Sequence, residues 1–237
     1  MTRHMLHALD TLKERVEDLG RTVLEAVVDA TEAVMTGNLE QANRVIQGDK
    51  TIDLEEVEIE EECLKVLALH QPVATDLRQL VGILKLNNDL ERIGDLAVSI
   101  AGHAGSIHLP GDERLVDLMQ RLSRRTQEML QLGLDCLINQ DSALAERVCA
   151  ADDDVDQLYS IIRSETQDLL MRDAKRELAH IEGLMRFVSV ARSLERVADH
   201  ATNIAEDVIY MVTGEISRHA GLRGLRPWKD RNPSGPR

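Results

Sequence analysis

Two acidic residues four positions apart occur in each of two similar stretches of the chain. The stretch Leu90–Ala101 reads LERIGDLAVSIA and Leu194–Ala205 reads LERVADHATNIA, with seven of the twelve positions identical. Four residues make about one helical turn, so Glu91 and Asp95 lie on one helix face, about 6 Å apart along the axis. The equivalent acids of the second stretch are Glu195 and Asp199. Stacked carboxylates repel each other, and a bound cation is the simplest reason for keeping the pair twice.

A second acid pair precedes the first in each half of the chain. Asp49 and Asp53 lie beside the apolar residue Ile52, and the same pattern recurs 103 residues later. The equivalent acids there are Asp152 and Asp156. If the two segments of each half pack antiparallel and in register, four carboxylates converge. Such oxygen ligands suit Mg²⁺, Ca²⁺ or Mn²⁺, and bridging carboxylates also suit multinuclear iron or zinc. The pattern therefore predicts a metal site in each half.

Acid pairs of this kind are also common on solvated helices, where they bind nothing. Residues 53–62 hold seven acids in ten positions, and most of these must form a solvated face. Glu56 and Glu60 extend the line of Asp49 and Asp53. Their equivalents in the second half are Tyr159 and Arg163. The two predicted sites therefore need not be equivalent. His200 follows Asp199 and is interpreted as a surface histidine, with an optional role as an extra ligand.

Periodicity and capping signals predict six helices, three in each half. Gly37 ends the first, and Asn38 with Gln41 makes a capping box for the second. The predicted helices cover about 2–35, 39–69, 72–102, 112–139, 141–171 and 173–212, with Pro72, Asp112, Asp141 and Asp173 near the starts of the last four. Gly214 lies just beyond the sixth. The tail, 221–237, is rich in Gly, Pro and Arg and is predicted to be disordered.

Apolar rows spaced like a buried seam repeat between the halves, with an offset of 103 or 104 residues. In the second helix the row is Val45, Ile52, Ile59 and Val66, and in the fifth it is Val148, Val155, Ile162 and Leu169. In the third helix the row is Leu86, Leu90, Ile93, Ala97 and Ile100, and in the sixth it is Val190, Leu194, Val197, Ala201 and Ile204. We therefore predict an all-α fold of two tandem three-helix bundles, 1–105 and 112–214, related by internal duplication.

Composition excludes several classes of function. The 237 residues carry a net charge of −14 and only 2% aromatic residues, so neither nucleic-acid binding nor a sheet-rich fold is expected. No apolar run is long enough to cross a bilayer, and the N-terminus lacks a signal-peptide core. The three cysteines, Cys63, Cys136 and Cys149, have no metal-binding or disulfide spacing and are interpreted as reduced core residues of a cytosolic protein.

The motifs LERIGD and LERVADHATNIAED, with QPVATDLRQL before the first, resemble the PhoU family of phosphate-signalling regulators over roughly residues 6–214. The resemblance implies two three-helix bundles side by side, with multinuclear metal sites at E/D-x-x-x-D motifs. It implies a cytosolic, non-enzymatic adaptor between the phosphate ABC transporter, through its ATPase subunit, and the sensor histidine kinase. This adaptor would repress the phosphate-starvation response when phosphate is plentiful. The departure from the motif is Ala198, where the first copy has Gly94.

Two other functions compete with the metal-binding regulator. A carboxylate-bridged di-iron oxidase or ferritin-like protein would use Glu-x-x-His motifs inside a four-helix bundle. Here the residue three positions after Glu91 is Gly94, and the one after Glu195 is Ala198, which argues against that class. A metal-free helical scaffold would leave all four acid pairs freely replaceable. The pattern names neither the metal, with iron, zinc, manganese and magnesium all open, nor the oligomeric state, for which a homodimer is one expectation.

Overall fold

A computed structural model describes residues 3–107, 112–172 and 178–214 of the chain. These residues form six helices and no strand, which confirms the all-α prediction. The helices are α1 (Arg3–Thr36), α2 (Leu39–His70), α3 (Ala74–Ala101), α4 (Glu113–Asn139), α5 (Ser142–Arg172) and α6 (Leu178–Thr213). No described helix is long and apolar enough to span a membrane. The predicted start of the sixth helix at Asp173, part of the central loop and the tail 221–237 lie outside the described residues.

Short polar side chains begin three of the helices, as the sequence predicts. Asn38 Oδ1 accepts a hydrogen bond from the backbone N–H of Gln41 at 3.1 Å, and this bond fixes the start of α2. The Asp112 and Asp141 carboxylates accept from backbone N–H groups in the first turns of α4 and α5. The predicted start of α3 was two residues too early, because the helix begins at Ala74 and not at Pro72. The left-handed residue Gln71 closes α2, and the chain stays extended through Val73 before it turns into α3.

The helices form two groups that share a central interface. Helices α1, α2 and α3 pack on one another, as do α4, α5 and α6. Between the groups α3 contacts α6 and α1 contacts α4, whereas α2 and α5 contact only helices of their own group within the described residues. The duplication therefore places α3 and α6 at the centre and α2 and α5 on the outside.

The predicted apolar rows form the core. The residues of the α3 and α6 rows are all 0% exposed, and those of the α2 row are buried as well. In α5 three of the four predicted residues are fully buried and Leu169 packs partly buried against them. Cys63 and Cys136 are buried free thiols and Cys149 is a half-buried one, so the core assignment holds fully for two of the three.

Polar side chains cross the interface between the two helix groups. Lys85 Nζ of α3 lies 3.1 Å from Oδ1 of Asp207, a residue of α6 whose side chain is 1% exposed. The same ammonium group lies 5.3 Å from the centre of the Tyr210 ring. Asp89 Oδ1 lies 2.8 Å from His200 Nδ1. Along α3 the order is Lys85 then Asp89, whereas their partners on α6, Asp207 and His200, come in the reverse order. The two helices therefore run antiparallel.

The duplicated core gives a matched pair of stability predictions. Leu90 and Leu194 are equivalent leucines, and both are 0% exposed. We expect Leu90→Ala and Leu194→Ala each to lower the free energy of unfolding by about 2–5 kcal/mol, because each leaves a cavity in close-packed surroundings. Urea unfolding followed by circular dichroism measures both. The control is Leu54→Ala on α2, where the side chain is 67% exposed and a change within about 0.5 kcal/mol is expected. A change below about 1 kcal/mol in either core variant would contradict the core assignment.

Candidate metal centres

Antiparallel packing brings the predicted acids together in both halves. Helix α2 runs antiparallel to α3, and α5 runs antiparallel to α6, so each pair of acids on one helix meets a pair on the next. We call the first set the α2–α3 cluster and the second the α5–α6 cluster. The α2–α3 cluster is Asp49, Asp53, Glu91 and Asp95. The α5–α6 cluster is Asp152, Asp156, Glu195 and Asp199.

The α5–α6 cluster is the tighter of the two. Asp156, Glu195 and Asp199 each place one carboxylate oxygen so that the three atoms lie within 4.8 Å of one another. No other set of three His, Cys, Asp or Glu side chains among the described residues was found to meet that spacing. Asp152 completes the cluster, and its Oδ1 accepts a hydrogen bond from Thr202 Oγ1 at 3.2 Å. Four carboxylates from two helices therefore face one patch, as the sequence predicts.

Burial and mutual repulsion act together on these acids. Partial burial raises the pKa of Asp152, and the charges of Asp199 and Asp156 raise it further. The pKa of Glu195 is raised by burial first, then by Asp199 and Asp156. The pKa of Asp199 is raised by burial and by Asp156, while nearby His200 and Arg196 oppose the rise. A bound cation would remove the cost of holding these negative charges together, so the cluster favours cations.

The α2–α3 cluster is looser and has an arginine beside it. Arg92 Nε lies 3.4 Å from Glu91 Oε2, and Arg92 Nη1 lies 3.4 Å from Asp95 Oδ2. Burial raises the pKa of Asp49, and Asp53 and Asp95 raise it further. Burial also raises the pKa of Glu91, with Asp95 adding to the rise and Arg92 opposing it. The shared influence of Asp95 on residues of both helices shows that the two acid pairs meet here too.

Glu56 joins the α2–α3 cluster, together with a buried asparagine that the sequence reasoning missed. Asn87 of α3 is 1% exposed, and its Nδ2 donates to the backbone oxygen of Glu56 at 2.8 Å and lies 3.4 Å from Glu56 Oε1. The Asn87 Oδ1 atom is buried and has no hydrogen-bond partner. A buried carbonyl oxygen without a donor, on a side chain that contacts the Glu56 carboxylate, fits an oxygen-coordinated cation. Periodicity could not single out Asn87, because it occupies a core position of α3.

Comparison with known proteins places the duplication in a family. The model of the PhoU domain matches residues 16–104 and again 119–208, so each match contains one acid cluster. The chain belongs to the PhoU family. It is 40% identical over 215 residues to the phosphate-specific transport system accessory protein PhoU homolog of Aquifex aeolicus, covering 91% of this chain and 96% of that protein. It is 34% identical to the accessory protein PhoU of Escherichia coli, covering 90% of this chain and 87% of that one.

Solved structures of PhoU proteins share the fold. The crystal structure of PhoU from Pseudomonas aeruginosa has a TM-score of 0.82 and 34% identity, covering 88% of this chain and 99% of that one. The phosphate transport system regulatory protein PhoU from Streptococcus pneumoniae has a TM-score of 0.80 and 28% identity, covering 90% and 98%. These similarities confirm the predicted family and the duplicated six-helix fold.

The difference between Gly94 and Ala198, the equivalent positions of the two motif copies, bears on the packing of the helices. A Cβ atom on Gly94 would lie 3.2 Å from Ile52 Cγ2 and 3.4 Å from Asp49 Oδ1, both on α2. The glycine therefore lets α3 approach α2 closely, beside one of the predicted ligands. Its equivalent, Ala198, is fully buried in the second bundle. The change from glycine to alanine is small in volume, and in the first bundle the position lies where α3 packs against α2 beside Asp49.

The interpretation of His200 as a surface histidine is wrong. Its side chain is only 18% exposed, and its ring nitrogen pairs with Asp89 of the other helix group. Asn203 Nδ2 adds a longer contact of 3.4 Å to the same carboxylate oxygen. The error arose because the sequence repeat relates α3 to α6 but does not state that these two helices pack on each other. The equivalent of His200 in the first half is Leu96, so this polar contact exists once only.

Proposed function

We propose that the two clusters bind divalent cations, singly or as multinuclear sites. Asp49, Asp53, Glu91 and Asp95 would hold the metal in the first bundle, with Glu56 and Asn87 beside them. The ligands in the second bundle would be Asp152, Asp156, Glu195 and Asp199. The observation that carries this proposal is the convergence of Asp156, Glu195 and Asp199 oxygens to within 4.8 Å of one another, with Glu195 half-buried and the two aspartates exposed. An all-oxygen set suits magnesium and manganese, and bridging carboxylates suit iron and zinc.

A bound cation would supply positive charge where α2 meets α3 and where α5 meets α6. Each cluster takes its carboxylates from two helices. A bound cation would therefore bridge these helices and reduce the repulsion between their carboxylates. Exposed acids such as Asp95, at 53% side-chain exposure, keep the clusters open to solvent and to other proteins. The clusters therefore suit recognition at a surface, not chemistry in an enclosed site.

The proposed role is that of a non-enzymatic accessory protein of phosphate uptake and signalling. Relatives that match most of this chain are named phosphate-specific transport system accessory proteins, and the Streptococcus pneumoniae relative is named a regulatory protein. By the family resemblance, this chain would act in the cytosol between the ATPase subunit of a phosphate ABC transporter and a sensor histidine kinase. It would act as a negative regulator of the phosphate-starvation response.

The di-iron oxidase alternative has less support than the regulator. Enzymes of that class enclose their carboxylates within a four-helix bundle and add Glu-x-x-His motifs. Both clusters here lie at the margin between two helices, with exposed aspartates at Asp53, Asp95, Asp156 and Asp199. Gly94 and Ala198 stand where that motif needs histidine. The open position of the clusters favours docking over oxidation chemistry.

A binding experiment tests the adaptor role directly. We expect the full chain, loaded with Mg²⁺ or Mn²⁺, to bind the purified transporter ATPase subunit and the kinase's cytosolic region, and phosphate to change at least one affinity. Biolayer interferometry with and without phosphate measures both. The cluster variant Glu91→Gln/Asp95→Asn/Glu195→Gln/Asp199→Asn should weaken binding by about tenfold or more, if the metal-loaded surface is the docking face. Failure of the metal-loaded chain to bind either protein would refute the adaptor role.

A further inference from the structure

Helix α2 exposes far more apolar surface than its duplicate, α5. Seven large apolar side chains on α2 are exposed, against one, Met171, on the described part of α5. The seven are Leu39, Ile46, Leu54, Val57, Leu64, Leu67 and Leu69. The repeat shows that the fold does not require an apolar residue at Val57 or Leu64, because these two correspond to the polar residues Ser160 and Gln167 in α5. Exposed apolar side chains that the fold does not need indicate a surface with another use.

Several of these residues form a heptad seam on the outer face of α2. Ile46 and Leu67 are separated by three heptads, and Val57 and Leu64 occupy the intervening second apolar position of the repeat. The α2 seam is Ile46, Lys50, Asp53, Val57, Glu60, Leu64 and Leu67, and every member is exposed. It extends for about 32 Å along the helix. Since α2 contacts only α1 and α3 within the described residues, neither helix group covers this face.

The charges of the seam decide what can cover it. Its charged positions are Lys50, Asp53 and Glu60, and α2 as a whole carries nine acidic and three basic residues. A second copy of α2 packed parallel would place Asp53 against Asp53 and Glu60 against Glu60. An antiparallel copy would bring together two helices with the same excess of acidic over basic residues. Like charge therefore opposes both arrangements and selects against self-pairing. Anionic lipid and nucleic acid are disfavoured for the same reason.

We propose that the α2 seam docks an amphipathic helix of a partner protein, with apolar side chains on Ile46, Val57, Leu64 and Leu67 and a basic side chain opposite Glu60. The inference deepens the adaptor role proposed above and rests on it. Laying an apolar helix face along another helix is a common mode of peptide recognition. Glu60 supplies the selectivity, since a lysine or arginine opposite it forms an ion pair and an acidic residue is repelled. The second bundle lacks such a seam within its described residues, so docking would be confined to one half of the molecule.

The test uses a synthetic three-heptad helical peptide with leucine on one face and lysine opposite Glu60. Fluorescence anisotropy measures its affinity for the full chain. We expect Val57→Ser/Leu64→Gln, which installs the residues of α5, to weaken binding by about tenfold or more. The matched control is Val28→Thr on α1, where the side chain is 38% exposed and no change is expected. A peptide with serine in place of leucine should bind as weakly as the wild-type peptide does to the variant.

A charge swap locates the peptide on the helix. Glu60→Lys should weaken binding of the lysine peptide and restore binding of a peptide with glutamate at the facing position. Equal affinity of the wild-type chain and the Val57→Ser/Leu64→Gln variant, or no rescue by the charge swap, would overturn the proposal. So would a concentration-dependent dimer in sedimentation, or binding to phosphatidylglycerol vesicles, that this variant abolishes. If the peptide does not bind while the transporter ATPase subunit or the kinase still does, the seam is excluded as a docking site and the adaptor role stands.

Discussion

Protein purified without chelator should carry metal, and changing four acids to amides should remove most of it. The variant Glu91→Gln/Asp95→Asn/Glu195→Gln/Asp199→Asn keeps the size of each side chain and removes the charge. Because these residues supply half of the carboxylates in each cluster, we expect metal affinity to fall by at least about tenfold, and the content after gel filtration to fall with it. Inductively coupled plasma mass spectrometry gives the identity and amount of each metal.

The duplication allows the two clusters to be measured separately. Glu91→Gln/Asp95→Asn should remove only the metal of the first bundle and Glu195→Gln/Asp199→Asn only that of the second, so the two losses should add. The charge-matched control, Glu61→Gln/Asp168→Asn, changes exposed acids outside both clusters and should keep the wild-type content. Equal metal content in the wild type and the four-residue variant would exclude these acids as the main ligands. Absence of metal from both proteins would favour the metal-free scaffold.

The repeated apolar rows were enough to predict the helices and their core faces. Val45, Ile52, Ile59 and Val66 are buried because a seven-residue apolar spacing keeps one helix face directed at its neighbours. The convergence of the acids also followed from the sequence, since Asp49 and Glu91 stand at the margins of those faces on two helices joined by a short turn. Periodicity and duplication together thus fix most of each bundle and the location of each cluster.

The interface between the bundles was beyond the reach of that reasoning. The contacts of Asp89 with His200 and of Lys85 with Asp207 join residues more than one hundred positions apart. The repeat does not predict these contacts, because an internal duplication shows that the two halves are alike but not which of their faces pack together. Asn87 was missed for a related reason. It is a polar residue on a core-facing position, and only the fold shows that Glu56 lies next to it.

The raised pKa values predict how the melting temperatures of the wild type and of a variant without these charges compare, with and without metal and as pH changes. Burial and mutual repulsion raise the pKa of Glu195 and Asp199 in the folded chain above their ordinary values. The unfolded chain loses these protons at lower pH, so the ionised groups cost folding free energy at neutral pH, and that cost falls as pH drops toward the ordinary carboxyl range. In excess chelator at pH 7 we therefore expect Glu195→Gln/Asp199→Asn to melt at a higher temperature than the wild type. The difference should narrow toward pH 5.

Metal should make the wild type melt at a higher temperature than the variant. A cation that binds the folded state and not the unfolded chain stabilises the fold by mass action. At a free-metal concentration one hundred times the dissociation constant, the gain is about 2.7 kcal/mol. For a chain of this size that gain raises the melting temperature by about 5–10 °C. The wild type should gain this shift at pH 7, and Glu195→Gln/Asp199→Asn should keep only the part due to the first cluster. Differential scanning fluorimetry across pH 5–8, with chelator or Mn²⁺, measures both effects. A wild type that melts above the variant in chelator would show that the carboxylates stabilise the fold without metal, because repulsion alone cannot produce that order.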